Sequence, residues 1–372
     1  MHILVAPDKF AGTLTAVEAA EAIAVGWRRT SPDDEITTIP MADGGPGFID
    51  VLHASLGGEL LAVTVRGPLE AATPATVLMV GDTAYIESAQ VCGLDLLRGT
   101  GEHLPPVAGQ AEQATTYGVG ELLAAAIDAG AARVVVGLGG SGTNDGGAGM
   151  LAALGATSQP EGALTAGPAG LAELSSVDVA SARARVADVE IVAASDVDNP
   201  LLGLRGATNV FGPQKGIAAD RLIEVDGALT KFAHLAGREL ADIKGAGAAG
   251  GLGYGLALLG GRREPGFGTV AEAVRLADAV AGADLVVTGE GKLDWQSMDG
   301  KVISGVAGLA GPAMRPCIAV AGAVQVGSRE LRANGIEAAY SLVEMVGTKD
   351  AFARPAESLS TAAARVAQTW SR

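Results

Sequence analysis

The sequence predicts an α/β protein of two domains: a parallel-sheet domain assembled from both chain ends, and a second α/β domain with a mixed sheet inserted between them. Three observations carry this expectation. Near both ends, short apolar strands alternate with helix-compatible segments through turns rich in glycine and acidic residues, the rhythm of βα units. From about residue 58 that rhythm gives way to closely spaced β-type runs. The middle of the chain is dominated by one stretch, Gly137-Leu138-Gly139-Gly140-Ser141-Gly142-Thr143-Asn144-Asp145-Gly146-Gly147, in which six of eleven residues are glycine. The expected domains are 1–57 with 282–372, and 58–281, the latter carrying the Gly-rich loops.

Ile3 to Ala6 reads as the first strand, ending at Pro7-Asp8-Lys9-Phe10. Thr15-Ala16-Val17-Glu18 has capping-box spacing, in which hydroxyl and carboxylate satisfy each other's exposed N–H groups, and it opens a helix to about Arg29. Glu35 to Ile39 is a second strand, followed by Ala42-Asp43-Gly44-Gly45-Pro46-Gly47 and a helix over Phe48 to Leu56. Open α/β sheets bind ligands at the carboxyl ends of their strands. Asp8, Lys9 and Asp43 therefore stand where chemistry is expected, with a solvated turn as the alternative.

Leu60 to Thr64, Ala75 to Val80 and Ala84 to Glu87 are the short β-type runs, and Glu87 reads as a site residue or a helix start. Thr115-Thr116-Tyr117 leads into an Ala-rich helix ending near Ala129. Arg133 to Val136 is the strand before the glycine-dense loop, and Ala148 to Leu154 is the helix after it. A chain this bare of Cβ atoms can approach a ligand closely, and a helix N-terminus favours anions. Gly139, Gly140, Ser141, Gly142, Thr143 and Asn144 are thus candidate phosphate ligands; the alternative is a tight turn without a ligand. Residues 155–188 carry little periodicity.

Glu190 to Ala194 ends at Ser195-Asp196-Val197-Asp198-Asn199-Pro200, which suits oxygen ligation of Mg²⁺ and equally suits ordinary turn chemistry. Helices are expected over Asp220 to Leu235 and Val270 to Ala281. A strand over Asp284 to Val287 then ends at Thr288-Gly289-Glu290-Gly291-Lys292-Leu293-Asp294. A helix over Lys301 to Leu309, strands at Cys317 to Ala321 and Ala338 to Ser341, and a closing helix over 355–371 complete the chain.

Composition narrows the function. A net charge of −16 argues against nucleic-acid and anionic-membrane surfaces. No apolar run reaches the ~20 residues that span a bilayer, and the first residues read as a strand instead of a leader, so a soluble cytoplasmic protein is expected. Four scattered histidines and two distant cysteines make a zinc site unexpected. Among only seven lysines, Lys9, Lys215, Lys244, Lys292 and Lys301 lie near Gly- or Asp-rich turns. No GxxxxGK[ST] occurs, and G-x-S-x-G fails because residue 143 is threonine. Gly137 to Gly142 and Gly245 to Gly250 both fit GxGxxG, yet the second follows no strand and has no acidic residue at a second strand end, so the dinucleotide fingerprint is weak. Strand-end turns that combine glycine with Asp, Glu and Lys suit phosphoryl transfer better than hydride transfer by a nicotinamide-dependent hydroxy-acid reductase.

At this point a resemblance becomes specific. APDKF-x-GTLTA at 6–16, MADGG at 41–45, ATTYGVGEL at 114–122 and GLGGSGTNDGGAGMLAALG at 137–155 occur in that order. DVDNPLLG at 196–203, FGPQKG at 211–216, TGEGKLD at 288–294 and GK at 300–301 follow. In these motifs the chain resembles the type 1 bacterial glycerate kinases from end to end. The resemblance implies ATP- and Mg²⁺-dependent phosphorylation of D-glycerate, with 2-phosphoglycerate favoured over 3-phosphoglycerate. It also implies a flavodoxin-like, Rossmann-like domain beside a second α/β domain, with the active site in the cleft between them. Two departures stand out: Ala11 and Pro46 replace a lysine and a glutamate that the family often has.

Joined, the two readings assign roles. Gly139 to Asn144 would cradle ATP phosphates, with Lys292 and Asp294 also on the nucleotide. Asp196, and Asp145 in the loop, would hold Mg²⁺. Lys9 and Lys301 would neutralise the substrate carboxylate or the γ-phosphate, and Asp8 or Asp43 would accept the hydroxyl proton. Small molecules are the expected partners, on a monomer or homodimer.

Overall fold

A computed structural model describes residues 1–10, 12–98, 105–298 and 301–371. Ala11 and Gly300, named above, and His103, one of the four histidines, lie outside the described residues. The chain divides into two compact units, one of residues 1–43, 50–57 and 266–372, the other of residues 44–49 and 58–265.

Thirteen strands are present among the described residues: β1 (His2–Val5), β2 (Glu35–Thr38), β3 (Glu59–Arg66), β4 (Ala72–Val80), β5 (Thr83–Glu87), β6 (Arg133–Gly137) and β7 (Thr157–Gln159), then β8 (Ser176–Asp178), β9 (Glu190–Ala194), β10 (Arg262–Glu264), β11 (Leu285–Leu293), β12 (Cys317–Val324) and β13 (Ala338–Ser341). The first unit holds a five-stranded sheet in the order β13-β12-β11-β1-β2, parallel throughout. Counted within that unit, the order is 2-1-3-4-5, the flavodoxin-like winding. Its inner strands are continuous apolar runs because helices cover parallel sheets on both faces. Ile3, Val5, Leu285, Val287, Ile318 and Val320 pack with Trp27 of the helix Ala16–Thr30 and Leu359 of the helix Pro355–Trp370.

The second unit holds a six-stranded mixed sheet in the order β10-β9-β6-β5-β4-β3, whose β3-β4-β5 part is the antiparallel meander. β7 and β8 form a separate ribbon in the segment that carried no readable period. Among the described residues no helix is long and apolar enough to cross a membrane.

Most elements form where the pattern places them. The capping box at Thr15 and Glu18 is present in both directions. Three differences have physical causes. The helix expected over Val270 to Ala281 is two, Gly266–Ala273 and Leu276–Gly282, because Arg275 takes a left-handed φ of 54° between them. These helices pack beside the helix Val302–Ala310, so the unit boundary falls at 265/266 instead of 281/282. Finally, β11 runs past Val287 to Leu293, because its pairing with β12 continues through Thr288, Gly289, Glu290 and Lys292. The glycines there end no strand.

Candidate active site

In the first unit the winding reverses between β1 and β11. The chain leaves β1 toward β2 on one side and leaves β11 toward β12 on the other, so the segments beyond their carboxyl ends part and open a crevice. A cavity of about 590 Å³ lies there. Its charged side is lined by Asp8, Asp43, Glu290 and Asp294 with Lys9, Lys292 and Lys301; Phe10, Leu342 and Phe352 supply an apolar side.

The backbone places these groups. Beyond the end of β1, the N–H of Ala6 donates to the carbonyl of Val287 and that of Asp8 to Gly289, each at 2.8 Å. Asp8 is thereby carried alongside the extension of β11. The Lys9 N–H donates to Asp8 Oδ1 at 2.7 Å. Only 8% of Asp8 is exposed. Burial pushes its carboxyl up to about 6; the neighbouring Asp43 carboxylate pushes the same way, while Lys9 and Lys301 oppose. Asp43 is half-buried.

Glu290 sits inside β11 opposite Ala321 of β12. It is 9% exposed, and its Oε1 is buried without a hydrogen-bond partner. Burial raises its carboxyl to about 7; Asp8 and Asp294 add to the shift, and the Ser297 hydrogen bond and Lys301 oppose it. Lys292 and Asp294 form an ion pair at 2.9 Å. The end of β11 is folded onto the buried Ser297 hydroxyl, which accepts from the Asp294 N–H at 3.1 Å and donates to the Lys292 carbonyl at 3.2 Å. Lys301 stands at the N-terminus of the helix Val302–Ala310, and its carbonyl accepts from Ser304 Oγ at 2.9 Å.

Six residues singled out in the sequence thus share one crevice: Asp8, Lys9, Asp43, Lys292, Asp294 and Lys301. Sequence reasoning misses Glu290, because a strand ended at Val287 leaves Glu290 in a solvated turn. The signal is the alternation of Thr288, Glu290 and Lys292, which one extended strand turns to a single face.

The glycine-dense loop lies in the second unit, and it is a packed loop. Residues 141–150 are all buried, while Gly139 and Gly140 reach the surface. A Cβ on Gly139 would stand 2.4 Å from Gly45 Cα, so its bareness admits the 44–46 segment. The second glycine run explains itself in the same way. Within Ala248–Leu258, Gly250 and Gly251 have φ of 67° and 90°. A Cβ on Gly250 would meet the Thr143 carbonyl oxygen at 2.0 Å, and one on Gly251 would meet Gly146 Cα at 2.6 Å. The two runs pack on each other through Gly250 and Gly251 against Thr143 to Gly146, whereas a Cβ on Gly137 or Gly142 would meet the Gly44 carbonyl oxygen or Leu97.

Asp145, expected among the metal ligands, is placed otherwise. It is fully buried, and it accepts from the N–H and hydroxyl of Thr116 at 2.8 and 2.9 Å, from the Gly149 N–H at 3.2 Å and from the Gly147 N–H at 3.1 Å. Its carboxylate braces the loop. Asn144 Nδ2 donates to Thr208 Oγ1 at 2.9 Å. Below the loop Lys215, 1% exposed, donates from Nζ to Ser141 Oγ at 3.1 Å and to the Thr143 carbonyl at 2.7 Å. Burial lowers this ammonium to about 8. Lys215 is a second residue that sequence reasoning leaves without a role; its one signal is the glycine-flanked FGPQKG.

Glu87 ends β5, and the short helix Ala89–Cys92 after it has no side-chain cap; the Glu87 carboxylate accepts instead from the N–H groups of Gly47 and Ile49, at 3.0 and 3.4 Å, where the helix Phe48–Leu56 begins. Beyond β9, Asp198 pairs with Arg263 at 2.8 Å and Lys244 at 3.3 Å, and Asn199 Nδ2 donates to the Arg205 carbonyl at 2.8 Å. These two do turn chemistry, whereas Asp196 is exposed. Among the described residues no three His, Cys, Asp or Glu side chains gather into a metal site. A Mg²⁺ carried chiefly by substrate phosphates needs only one or two carboxylates from the protein.

The sequence profile of the Glycerate kinase family matches residues 3–371. A protein of Bacillus subtilis named glycerate kinase is 42% identical over 99% of this chain and 97% of its own length. The glycerate 2-kinase of Escherichia coli K12 is 37% identical over 99% of this chain and 98% of its own. The crystal structure reported as glycerate kinase 2 of Salmonella typhimurium LT2 superposes with a TM-score of 0.83, at 37% identity, over 99% of this chain and 98% of the other.

Proposed function

Because the chain belongs to the glycerate kinase family and is a kinase, we propose that it transfers the γ-phosphoryl group of ATP to D-glycerate, with 2-phosphoglycerate as the favoured product. The observation that carries this reading is the crevice at the β1/β11 switch point, where buried carboxyls and three lysines converge. The acceptor hydroxyl attacks phosphorus in line, and the bond to the β,γ-bridging oxygen breaks with its electron pair leaving on ADP. The hydroxyl proton goes to Asp8. Raised to about 6, this carboxyl is a stronger base than an ordinary aspartate and is still ionised at neutral pH. Asp43, on the same wall, is the other candidate acceptor, and Asp8 is preferred for its burial and its tether to Gly289. Lys9 and Lys301 offset the charge of the substrate carboxylate and of the transferring phosphoryl group. Lys292, with Asp294 beside it, serves the nucleotide.

In the second unit, Gly139, Gly140 and Ser141 are the loop residues at or near the surface, and they are proposed to meet ATP phosphates. Gly142, Thr143 and Asn144 hold that edge in place from within. Asp196 supplies an exposed hard oxygen of the kind Mg²⁺ takes, directly or through water. The ion would neutralise phosphate charge during transfer.

Phosphorus NMR of a mixture of protein, ATP, Mg²⁺ and D-glycerate tests the reading. A new phosphomonoester signal is expected, split by the one carbon-bound proton of a 2-phosphate; a signal split by two such protons would move the phosphate to the 3-hydroxyl. No new signal from folded protein, with D-glycerate or with related small hydroxy acids, would overturn it.

A further inference from the structure

Among the described residues the cavity wall carries four acids but only three lysines. A crevice that must receive a carboxylate and a polyphosphate is poorly served by a net negative wall, and one of the four acids is unlike the rest. Glu290 Oε1 is buried and accepts no hydrogen bond. An ionised carboxylate with a bare oxygen away from water is strongly disfavoured, whereas a carboxyl tolerates it. The groups facing Glu290 are the Ser297 hydroxyl, Asp8 beyond β1, Asp294 at the end of β11, and Lys301 before the helix Val302–Ala310. Asp8 in turn faces Lys9, Asp43 and Lys301.

We propose that Glu290 is the proton-holding partner of Asp8: the two carboxyls carry one proton between them in the working enzyme, it resides on Glu290, and Asp8 is left as the ionised acceptor of the substrate's hydroxyl proton. This rests on the kinase reading above. With Glu290 neutral, three carboxylates face three ammonium groups, and the described residues of the wall sum to no net charge. When Glu290 ionises, the wall turns negative and repels both substrates. Glu290 acts through Asp8 and through the charge of the crevice, so it is a positioning residue. The directions agree: burial raises Glu290 to about 7 and Asp8 to about 6.

The test joins two readouts. In the first, kcat/KM for D-glycerate is followed against pH for the wild type and for Glu290→Gln, which mimics the protonated carboxyl. Wild type is expected to lose about tenfold per pH unit beyond each limb, near 6 and near 7. Glu290→Gln is expected to keep the acid limb and to lose the alkaline one. An unchanged alkaline limb in the folded variant would overturn the proposal. So would a loss of the size of Asp8→Asn at every pH, since Glu290 itself would then be the acceptor.

The second readout needs no turnover: a carbon NMR titration of the protein with ¹³C-labelled glutamate side chains. One carboxyl titrating near 7, absent from Glu290→Gln, is expected. A Glu290 signal in the ordinary carboxylate range would overturn the proposal even for a fully active kinase. A raised titration in a protein that phosphorylates nothing would support the proton-holding pair and overturn the kinase reading.

Discussion

Asp8 is exposed by only 8%; its N–H donates to the Gly289 carbonyl of β11 and its carboxylate accepts from the Lys9 N–H. A side chain held this firmly tolerates replacement by an isostere. Asp8→Asn is expected to fold normally and to lower kcat by about 10²–10⁴-fold, the range of a lost general base. A steady-state assay beside a far-ultraviolet circular dichroism spectrum checks both halves. If Asp43→Asn shows the larger loss, the roles of the two aspartates are exchanged. At Gly250 the constraint is steric. With φ of 67° and a hypothetical Cβ 2.0 Å from the Thr143 carbonyl oxygen, Gly250→Ala strains the backbone and pushes on the loop together. A loss of about 2–4 kcal/mol in urea unfolding is expected. A change below about 0.5 kcal/mol would mean that the two glycine runs do not pack as described.

Among the elements, β11 differs most from what its own residues suggest, and the helix Phe48–Leu56, which forms where its residues place it, is capped from a distant strand. Ending β11 at its glycines is sound local reasoning, and pairing with β12 overrides it. That override moves Glu290 and Lys292 from a turn onto the strand that lines the crevice. The residue before the helix Phe48–Leu56 is Gly47, which has no side chain to cap it, and Glu87 from β5 supplies an acceptor to Gly47 and Ile49. Glu87→Ala is therefore expected to cost about 1–3 kcal/mol by leaving buried N–H groups unpaired, measurable as a fall in the unfolding midpoint. Thr15→Ala, at the local capping box of Ala16–Thr30, is expected to cost about 1 kcal/mol.

For the whole molecule, the raised carboxyls set a pH dependence opposite to that of paired surface acids. Asp8 and Glu290 have folded-state values near 6 and 7, above their ordinary 3.8 and 4.5. The fold thus favours their protonated forms. Their contribution to stability is complete below about pH 4 and is lost as pH rises through the folded values. The 42 acidic residues impose a trend of their own, so the informative quantity is the difference between variant and wild type. Asp8→Asn and Glu290→Gln are each expected to be more stable than wild type at pH 8, by on the order of 1–3 kcal/mol, with the difference gone near pH 4. Equal stabilities at pH 8 would show that neither carboxyl is strained by ionising in the fold.

Much of this protein is legible in its sequence. Periodicity and capping chemistry are local, so the strands at Ile3, Glu190 and Ala338 and the helices after Thr15 and Gly47 follow from neighbouring residues alone. The turns holding Asp8, Lys9, Asp43 and Lys301 follow from strand ends, and motif order is enough to reveal the family. Tertiary structure decided the rest, because burial and pairing are properties of residues far apart in the chain. It decided that Asp145 braces a loop, that Lys215 lies beneath Ser141, and that one glycine run exists to admit another. It also decided that Glu290 lies beside Asp8, since only the parallel sheet brings residues 8 and 290 to the same edge.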